Sequence, residues 1–374
     1  MPKHLRIAMF FASDPATAGG VQEHVYFLSR ELRKLGHQVD IFGPGKTLLP
    51  FRNYQSIGNS ITIPLLSGNQ GNITLIDEKK QSILEELSTK KYDLIHIHEP
   101  YIPFINWEVM KTVDAPKVTT YHATWDRVSG INILNSFIPL LKDESIKEVK
   151  GSIFVSSRTR ECWQEGFAIK GTKKVIANGI DLNKFHYRVK SGNGQVNLLF
   201  LARIVPKKGL RFLIKAVEKL VNKHKDISLS VVGEGWEKKK WISYVRRHKL
   251  GKYIKFYGYI EDAVKPDFFQ KADIFCAPYI NEGFGITLLE AMACGVPIVG
   301  FKNDAFDEVL KNYPYRKLIV EEKNSHSLYR ALDEVISNKN IREQIRSWEL
   351  AEVKKYGWEK IAKKITQFYF KILG

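Results

Sequence analysis

Cysteine is scarce. The three present in 374 residues, Cys162, Cys276 and Cys294, lie far apart and fit neither a disulfide framework nor zinc-ligand spacing. A reducing cytoplasm is the simplest expected compartment. Long apolar runs are missing too: no uninterrupted stretch approaches the roughly 18 residues that span a bilayer. The N-terminal MPKHLRIAMFFAS carries no signal-peptide cleavage pattern, and its LRIAMFF reads instead as a buried first strand. Internal repeats and low-complexity tracts are absent, which excludes solenoid and disordered architectures. The fingerprint G-x-G-x-x-G is absent as well, so contact with phosphate is a better reading of the glycine turns than a dinucleotide cofactor.

What is there is an ordinary globular composition, 44% apolar and 26% charged, on a chain too long for one hydrophobic core. Two domains are expected. The formal net charge of +18 predicts an anionic partner: nucleic acid, an anionic membrane or a phosphorylated small molecule. Sets such as Lys207-Lys208, Lys238-Lys239-Lys240 and Lys354-Lys355 read mostly as solvated faces, and no nucleic-acid module accompanies them.

The chain opens with strand, glycine turn, helix and strand: residues 5–11, then a turn through Gly19 and Gly20, a helix over 21–35 and a strand over 37–42. That unit brings a helix N-terminus to a ligand at the carboxyl edge of a parallel sheet. Residues 43–72 read as largely irregular loops, with 60–64 the clearest β-like piece. Residues 77–90 read as a helix and 92–98 as a strand ending in HIHEP, where His96 and His98 share a face. Two histidines in this spacing suit a metal pair, yet no third ligand stands at a matching interval, so no metal site is expected. His122 falls at the carboxyl end of the strand 117–121, where open α/β sheets place their ligands. Residues 125–141, WDRVSGINILNSFIPLL, are bulky and apolar, fitted either to burial or to contact with lipid.

A polar linker at 191–195 precedes a restart of the pattern. After the strand 196–201, Arg203 and Lys208 stand five apart across a turn, a geometry that can clamp one pyrophosphate, Arg as a fork and Lys as a point charge. Gly233, in Gly233-Glu234-Gly235 behind the strand 228–232, suits close backbone approach to a nucleotide or sugar. The stretch 281–300, NEGFGITLLEAMACGVPIVG, reads as a loop, a helix from about Ile286 to Ala293, a turn and a short strand. Gly283 and Gly285 admit a ligand close to the backbone, and the helix start behind them offers unpaired N–H groups and a positive dipole end. Glu282 and Glu290 flank that site, suggesting one carboxylate on a sugar and one on a ribose with phosphates between them. A helix with a glycine-rich lead-in and two surface glutamates is the plainer alternative.

The seven-residue gap between Glu282 and Glu290, with Gly-Phe-Gly after the first, resembles the signature of the retaining glycosyltransferases of family four. Their GT-B fold is α/β, two doubly wound Rossmann-like domains facing a central cleft. ARIVPKKG resembles the family's GRxxxxKG, with Ala202 in place of its usual Gly; GGVQEHV resembles its glycine loop, and Asn178-Gly179-Ile180-Asp181 the turn that closes its first domain. Within the family, HIHEP, GGVQ and the DAF of Asp304-Ala305-Phe306 resemble the bacterial phosphatidylinositol mannosyltransferases. The resemblance spans nearly the whole chain. It implies an acceptor-side domain over 1–190, a nucleotide-sugar domain over 195–355 and a C-terminal helix, 356–374, crossing back to the first domain. It implies a hexosyltransferase in which His122 reaches the transferred sugar, Arg203 and Lys208 hold the pyrophosphate and Glu282 binds sugar hydroxyls. Glu290 is implied to bind ribose and Ile260 to lie beside the base, while Gly19, Gly20, Gly233, Gly283, Phe284, Gly285 and Ile286 line the donor. The implied donor is a GDP- or UDP-sugar, GDP-mannose first, with no cofactor and no catalytic metal. The implied acceptor is a lipid or glycolipid at an anionic membrane surface, reached by peripheral docking at the inner face; a soluble or polysaccharide acceptor is the alternative. A basic nucleic-acid-binding α/β protein, a sugar-nucleotide epimerase and a phosphorylase are rivals from other classes. The first leaves the paired glutamates, the basic pair and the glycine loops without a reason to coexist.

Overall fold

The computed structural model of the chain describes residues 4–12, 19–45, 51–64, 70–75, 80–102, 105–124, 149–166, 169, 171–189 and 194–374. The chain divides into two compact units, one formed by Met1–Gly179 with Trp358–Gly374, the other by Ile180–Gly357.

The first unit holds a seven-stranded sheet of β1 (Arg6–Phe10), β2 (Gln38–Gly43), β3 (Tyr54–Ser56), β6 (Leu94–His98), β7 (Lys117–Tyr121), β8 (Val149–Phe154) and β9 (Thr172–Val175). Their order is β3-β2-β1-β6-β7-β8-β9, parallel at every pairing. Successive residues of a strand face opposite ways, and here both faces are covered. Ile7 and Met9 of β1 join Val25, Leu28 and Leu32 of the helix Gly20–Lys34 and Ile361, Ile365 and Phe368 of the helix Trp358–Leu373. Ala8 and Phe10 join Ile83, Leu87, Val109 and Met110 on the other side.

The last helix therefore belongs to the first sheet. Two glycines make room for it: a Cβ on Gly151 would stand 2.1 Å from Ile372 Cδ1, and one on Gly179 2.3 Å from the Trp358 ring. Where residues 43–72 read as loops, the structure has β3 on the sheet edge and an antiparallel hairpin of β4 (Asn59–Pro64) and β5 (Gln70–Leu75). The hairpin is a strand pairing between segments whose individual signals are short, and only the register of six facing residues makes it regular.

The second unit is a six-stranded parallel sheet of β10 (Val196–Leu201), β11 (Ile227–Val232), β12 (Ile254–Gly258), β13 (Ile274–Ala277), β14 (Ile298–Phe301) and β15 (Ile319–Val320), in the order β12-β11-β10-β13-β14-β15. The helix Leu210–Lys223 buries Leu213, Ile214, Val217 and Leu220 at helical spacing and packs beside Ser325–Ser337. In each sheet the strand order reverses beside the first strand, between β1 and β6 and between β10 and β13. Such switch points leave a crevice at the carboxyl ends of the strands.

Candidate active site

In the second unit, the loops leaving β10, β11 and β13 are tied together through the backbone. Ile204 N–H donates to Glu234 O at 2.7 Å, Ile280 N–H to Lys207 O at 2.9 Å, and the Tyr279 hydroxyl to Leu201 O at 3.0 Å. Gly209 has φ of +69°, and a Cβ there would stand 1.9 Å from Pro278 O. A Cβ on Gly233 would stand 2.0 Å from Ala202 O, while the Gly233 N–H already donates to Gly258 O at 2.7 Å. This glycine is therefore required by the packing of the loops on one another.

That weave delivers Lys208 to Glu282. Their ammonium and carboxylate form an ion pair, and Lys208 Nζ lies 4.4 Å from the Tyr279 ring centroid. Arg203, on the same turn, is exposed. The Glu282 carbonyl accepts the Ala305 N–H at 3.1 Å, and the Asn303 side chain donates to Tyr279 O at 2.8 Å and Phe301 O at 3.0 Å. Asn303 thus pins the glutamate loop to β14. Phe284 is buried beneath the loop, Gly283 and Ile286 are half-buried, and Gly285, at φ +74°, turns the chain into the helix Ile286–Ala293. Left-handed backbone of that kind is glycine's to supply.

Four residues into the helix the carboxylate of Glu290 is only 1% exposed. Its Oε1 accepts from Lys265 Nζ at 2.9 Å, and its Oε2 is buried with no partner among the described residues. Desolvation pushes the Glu290 carboxyl up, against the pull of Lys265. Lys265 also lies 2.8 Å from Asp262 Oδ1, while Lys184 pairs with the other oxygen of Asp262. Burial works against the Asp262 charge, yet the two lysines hold its carboxyl below the usual range. Half-buried Ile260 stands two residues before this aspartate.

In the first unit, Gly19 is extended and precedes the helix that starts at Gly20, its carbonyl accepting the Glu23 N–H at 3.1 Å. One turn on, His24 places its Nδ1 2.9 Å from Asn178 Oδ1. His98, at the end of β6, has Nδ1 3.1 Å from Nε2 of His122, which follows β7. The His24 ring meets His98 and His122 edge-on, centroids 5.3 and 4.6 Å away. His96, although on the same face of β6, is engaged at both nitrogens, by Thr120 Oγ1 at 2.7 Å and the Tyr369 hydroxyl at 2.6 Å. Burial lowers all four histidines, His24 to about 4, His96 to about 3, and His98 and His122 well below the ordinary value, so the rings are neutral at pH 7.

The structure brings Lys208, Glu282, Gly283, Phe284, Gly285, Ile286 and Glu290 together around one loop and helix start. His24, Asn178 and Lys265 escape sequence reasoning. His24 stands inside GGVQEHV, one helical turn past Gly20, and Asn178 opens the turn Asn178-Gly179-Ile180-Asp181, so both lay within motifs without showing that they meet; Lys265 offered no signal. The apolar segment 125–141 lies outside the described residues.

Two family models match the chain: Glycosyltransferase Family 4 over residues 18–184 and Glycosyl transferases group 1 over residues 183–348. The chain is 28% identical to a phosphatidyl-myo-inositol mannosyltransferase of Mycobacterium tuberculosis, covering 99% of this chain and 98% of the other. It is 24% identical to an alpha-monoglucosyldiacylglycerol synthase of Streptococcus pneumoniae, covering 98% and 85%. Its fold is similar to that of a glycosyltransferase from Rickettsia africae, with a TM-score of 0.79 and 19% identity, covering 100% and 99%.

Proposed function

We propose that this chain, which belongs to the family 4 glycosyltransferases of GT-B fold, moves a hexose from a nucleoside diphosphate to a lipid or glycolipid acceptor at a membrane surface, with GDP-mannose as donor. The observation that carries the donor half is the buried carboxylate of Glu290, with one oxygen held by Lys265 and the other without a partner, one helical turn behind Gly285. A ribose hydroxyl donating to that oxygen completes it. Arg203, Lys208 and the N-terminus of the helix Ile286–Ala293 meet the pyrophosphate, whose charge grows as it departs. Glu282 binds sugar hydroxyls, and His122 binds the transferred sugar near its reacting carbon.

Transfer breaks the bond from the anomeric carbon to the phosphate oxygen and forms one to the acceptor oxygen. With no protein nucleophile assigned, we read retention as attack from the face the phosphate leaves, the departing oxygen taking the acceptor's proton. The lipid acceptor is supported by the likeness to a phosphatidyl-myo-inositol mannosyltransferase and an alpha-monoglucosyldiacylglycerol synthase. The net charge of +18 suits docking on an anionic surface, and among the described residues no helix is long and apolar enough to cross a membrane.

A panel of nucleotide sugars tests this, scored for thermal stabilisation and slow hydrolysis and then for transfer to lipid in vesicles. GDP-mannose is expected to stabilise the protein and be hydrolysed. A preference for UDP-sugars replaces the donor; stabilisation by no nucleotide sugar overturns the reading.

A further inference from the structure

We propose that His24, His98 and His122 form a binding site for a borderline divalent transition cation, Zn²⁺ in the first instance, and that its occupancy withholds His122 from sugar transfer. The three come from separate parts of the chain, the helix after β1 and the ends of β6 and β7, and only the sheet order β1-β6-β7 makes them neighbours. One ring nitrogen of each lies within 4.8 Å of the other two. The 3.1 Å between His98 Nδ1 and His122 Nε2 is close to the ~3.3 Å that separates two nitrogens of a tetrahedral zinc site with bonds of about 2.0–2.1 Å.

His24 is prepared for this role. Donation from its Nδ1 to Asn178 Oδ1 leaves the lone pair on Nε2, and that nitrogen is buried with no partner among the described residues. A ring whose second nitrogen is anchored on a carbonyl oxygen is how proteins orient a metal-bound histidine. His98 Nε2 is buried without a partner as well, so two orphaned polar atoms sit in one cluster, where nearly all such atoms are satisfied. Neutral imidazoles are the ligand form, and a set of three with no carboxylate favours zinc over magnesium or calcium. His122 is only half-buried, which leaves the fourth position to water. A metal bound here takes the His122 lone pair away from the sugar and so inhibits.

The inhibitory half rests on the glycosyltransferase reading; the binding half does not. Zn²⁺ alone is titrated into the full chain against a chromophoric competitor in chelator-free buffer. We expect one equivalent bound, at least tenfold more weakly in His24→Gln and in His98→Gln, with circular dichroism showing both variants folded. Zinc-edge X-ray absorption on the unaltered protein is expected to count three imidazoles, a readout that holds if either variant fails to fold. No stoichiometric binding, binding untouched by both substitutions, or fewer than three imidazoles overturns the site. In the transfer assay one equivalent of Zn²⁺ should abolish activity and EDTA restore it. Bound metal with undiminished transfer overturns the inhibitory half, whereas absence of transfer with and without Zn²⁺ strikes the enzyme reading and leaves the site standing.

Discussion

Gly209→Ala tests whether the loops that present Lys208 and Glu282 are held as tightly as their backbone contacts imply. Two terms oppose the new methyl. The left-handed φ of +69° costs an alanine about 1–2 kcal/mol. The Cβ would meet Pro278 O at 1.9 Å and Pro278 C at 3.0 Å, backbone atoms that cannot rotate away. Overpacking of that kind costs about 1–3 kcal/mol, and the entropy lost from the unfolded chain returns about 0.4–1 kcal/mol. The sum is about 1–4.5 kcal/mol, centred near ~3, or roughly 2–18 °C in the melting of a unit of this size.

The same unit supplies its own controls. Gly194 has φ of +81° with nothing within 4 Å of a new Cβ, so Gly194→Ala isolates the conformational term at about 1 kcal/mol. Gly251 has open space and no positive φ, so Gly251→Ala should lie within about 0.5 kcal/mol of the parent. Differential scanning calorimetry of the three variants, with nucleoside diphosphate titrations alongside, reads both stability and site geometry. Because Lys208 immediately precedes Gly209 and Pro278 leads into the Glu282 loop, Gly209→Ala should also weaken the diphosphate while the controls do not. If Gly209→Ala melts with Gly194→Ala and binds as the parent does, the contact is loose and the argument fails.

Arg203→Ala and Lys208→Ala should each weaken nucleoside diphosphate by roughly ten- to a hundredfold, about 1.5–3 kcal/mol, and barely affect the nucleoside; equal losses in calorimetry exclude the clamp. Transfer should persist in excess EDTA, and a loss restored by magnesium or manganese would contradict a protein-supplied positive charge. Glu349 is fully buried and desolvation holds its carboxyl well above the ordinary value, so the folded state binds the extra proton. Stability from this group is complete below the unfolded value of about 4.3 and falls as pH rises toward the raised one, so Glu349→Gln should flatten the decline of the melting temperature above pH ~4.3. On anionic vesicles the protein should sediment at low salt and release at high salt, since each surface-near basic group contributes about 1 kcal/mol and is screened. Making Phe137 and Leu141 polar should weaken that capture, and failure to sediment with any anionic vesicle removes the support for a lipid acceptor.

Much of the second unit was legible in the chain because its candidate site residues are local. Glu282, Gly285 and Glu290 fall within one loop and one helix, where spacing alone decides what faces what. The pairing of Lys208 with Glu282 was less so. Read from sequence, Lys208 faces a ligand; in the structure it already holds a carboxylate 74 residues away, because Gly209 and Pro278 lock two loops side by side. Glu290 shows the same limit in another form. Its position was legible, yet its burial and its cation, Lys265, depend on how the helix Lys265–Lys271 packs, which no spacing in the chain reports.

The histidines of the first unit mark where local reasoning stops. Alternation along β6 groups His96 with His98, and on that ground the pair lacks a third ligand. The sheet regroups them. The pairing of β6 with β7 sets His96 beside Thr120, and the final helix brings Tyr369 to its other nitrogen, so this ring is consumed by the fold. Two residues later the strand ends, and His98 meets a histidine from each neighbouring crossover: His24 from the helix after β1 and His122 from the turn after β7. The neighbours of His98 that spacing along one strand could not find come from the two adjoining strands, 24 residues away in one direction and 74 in the other. A parallel sheet stacks the carboxyl ends of distant strands in one row, so the chemistry at that edge is written in the strand order, which becomes readable only once the order β1-β6-β7 is known.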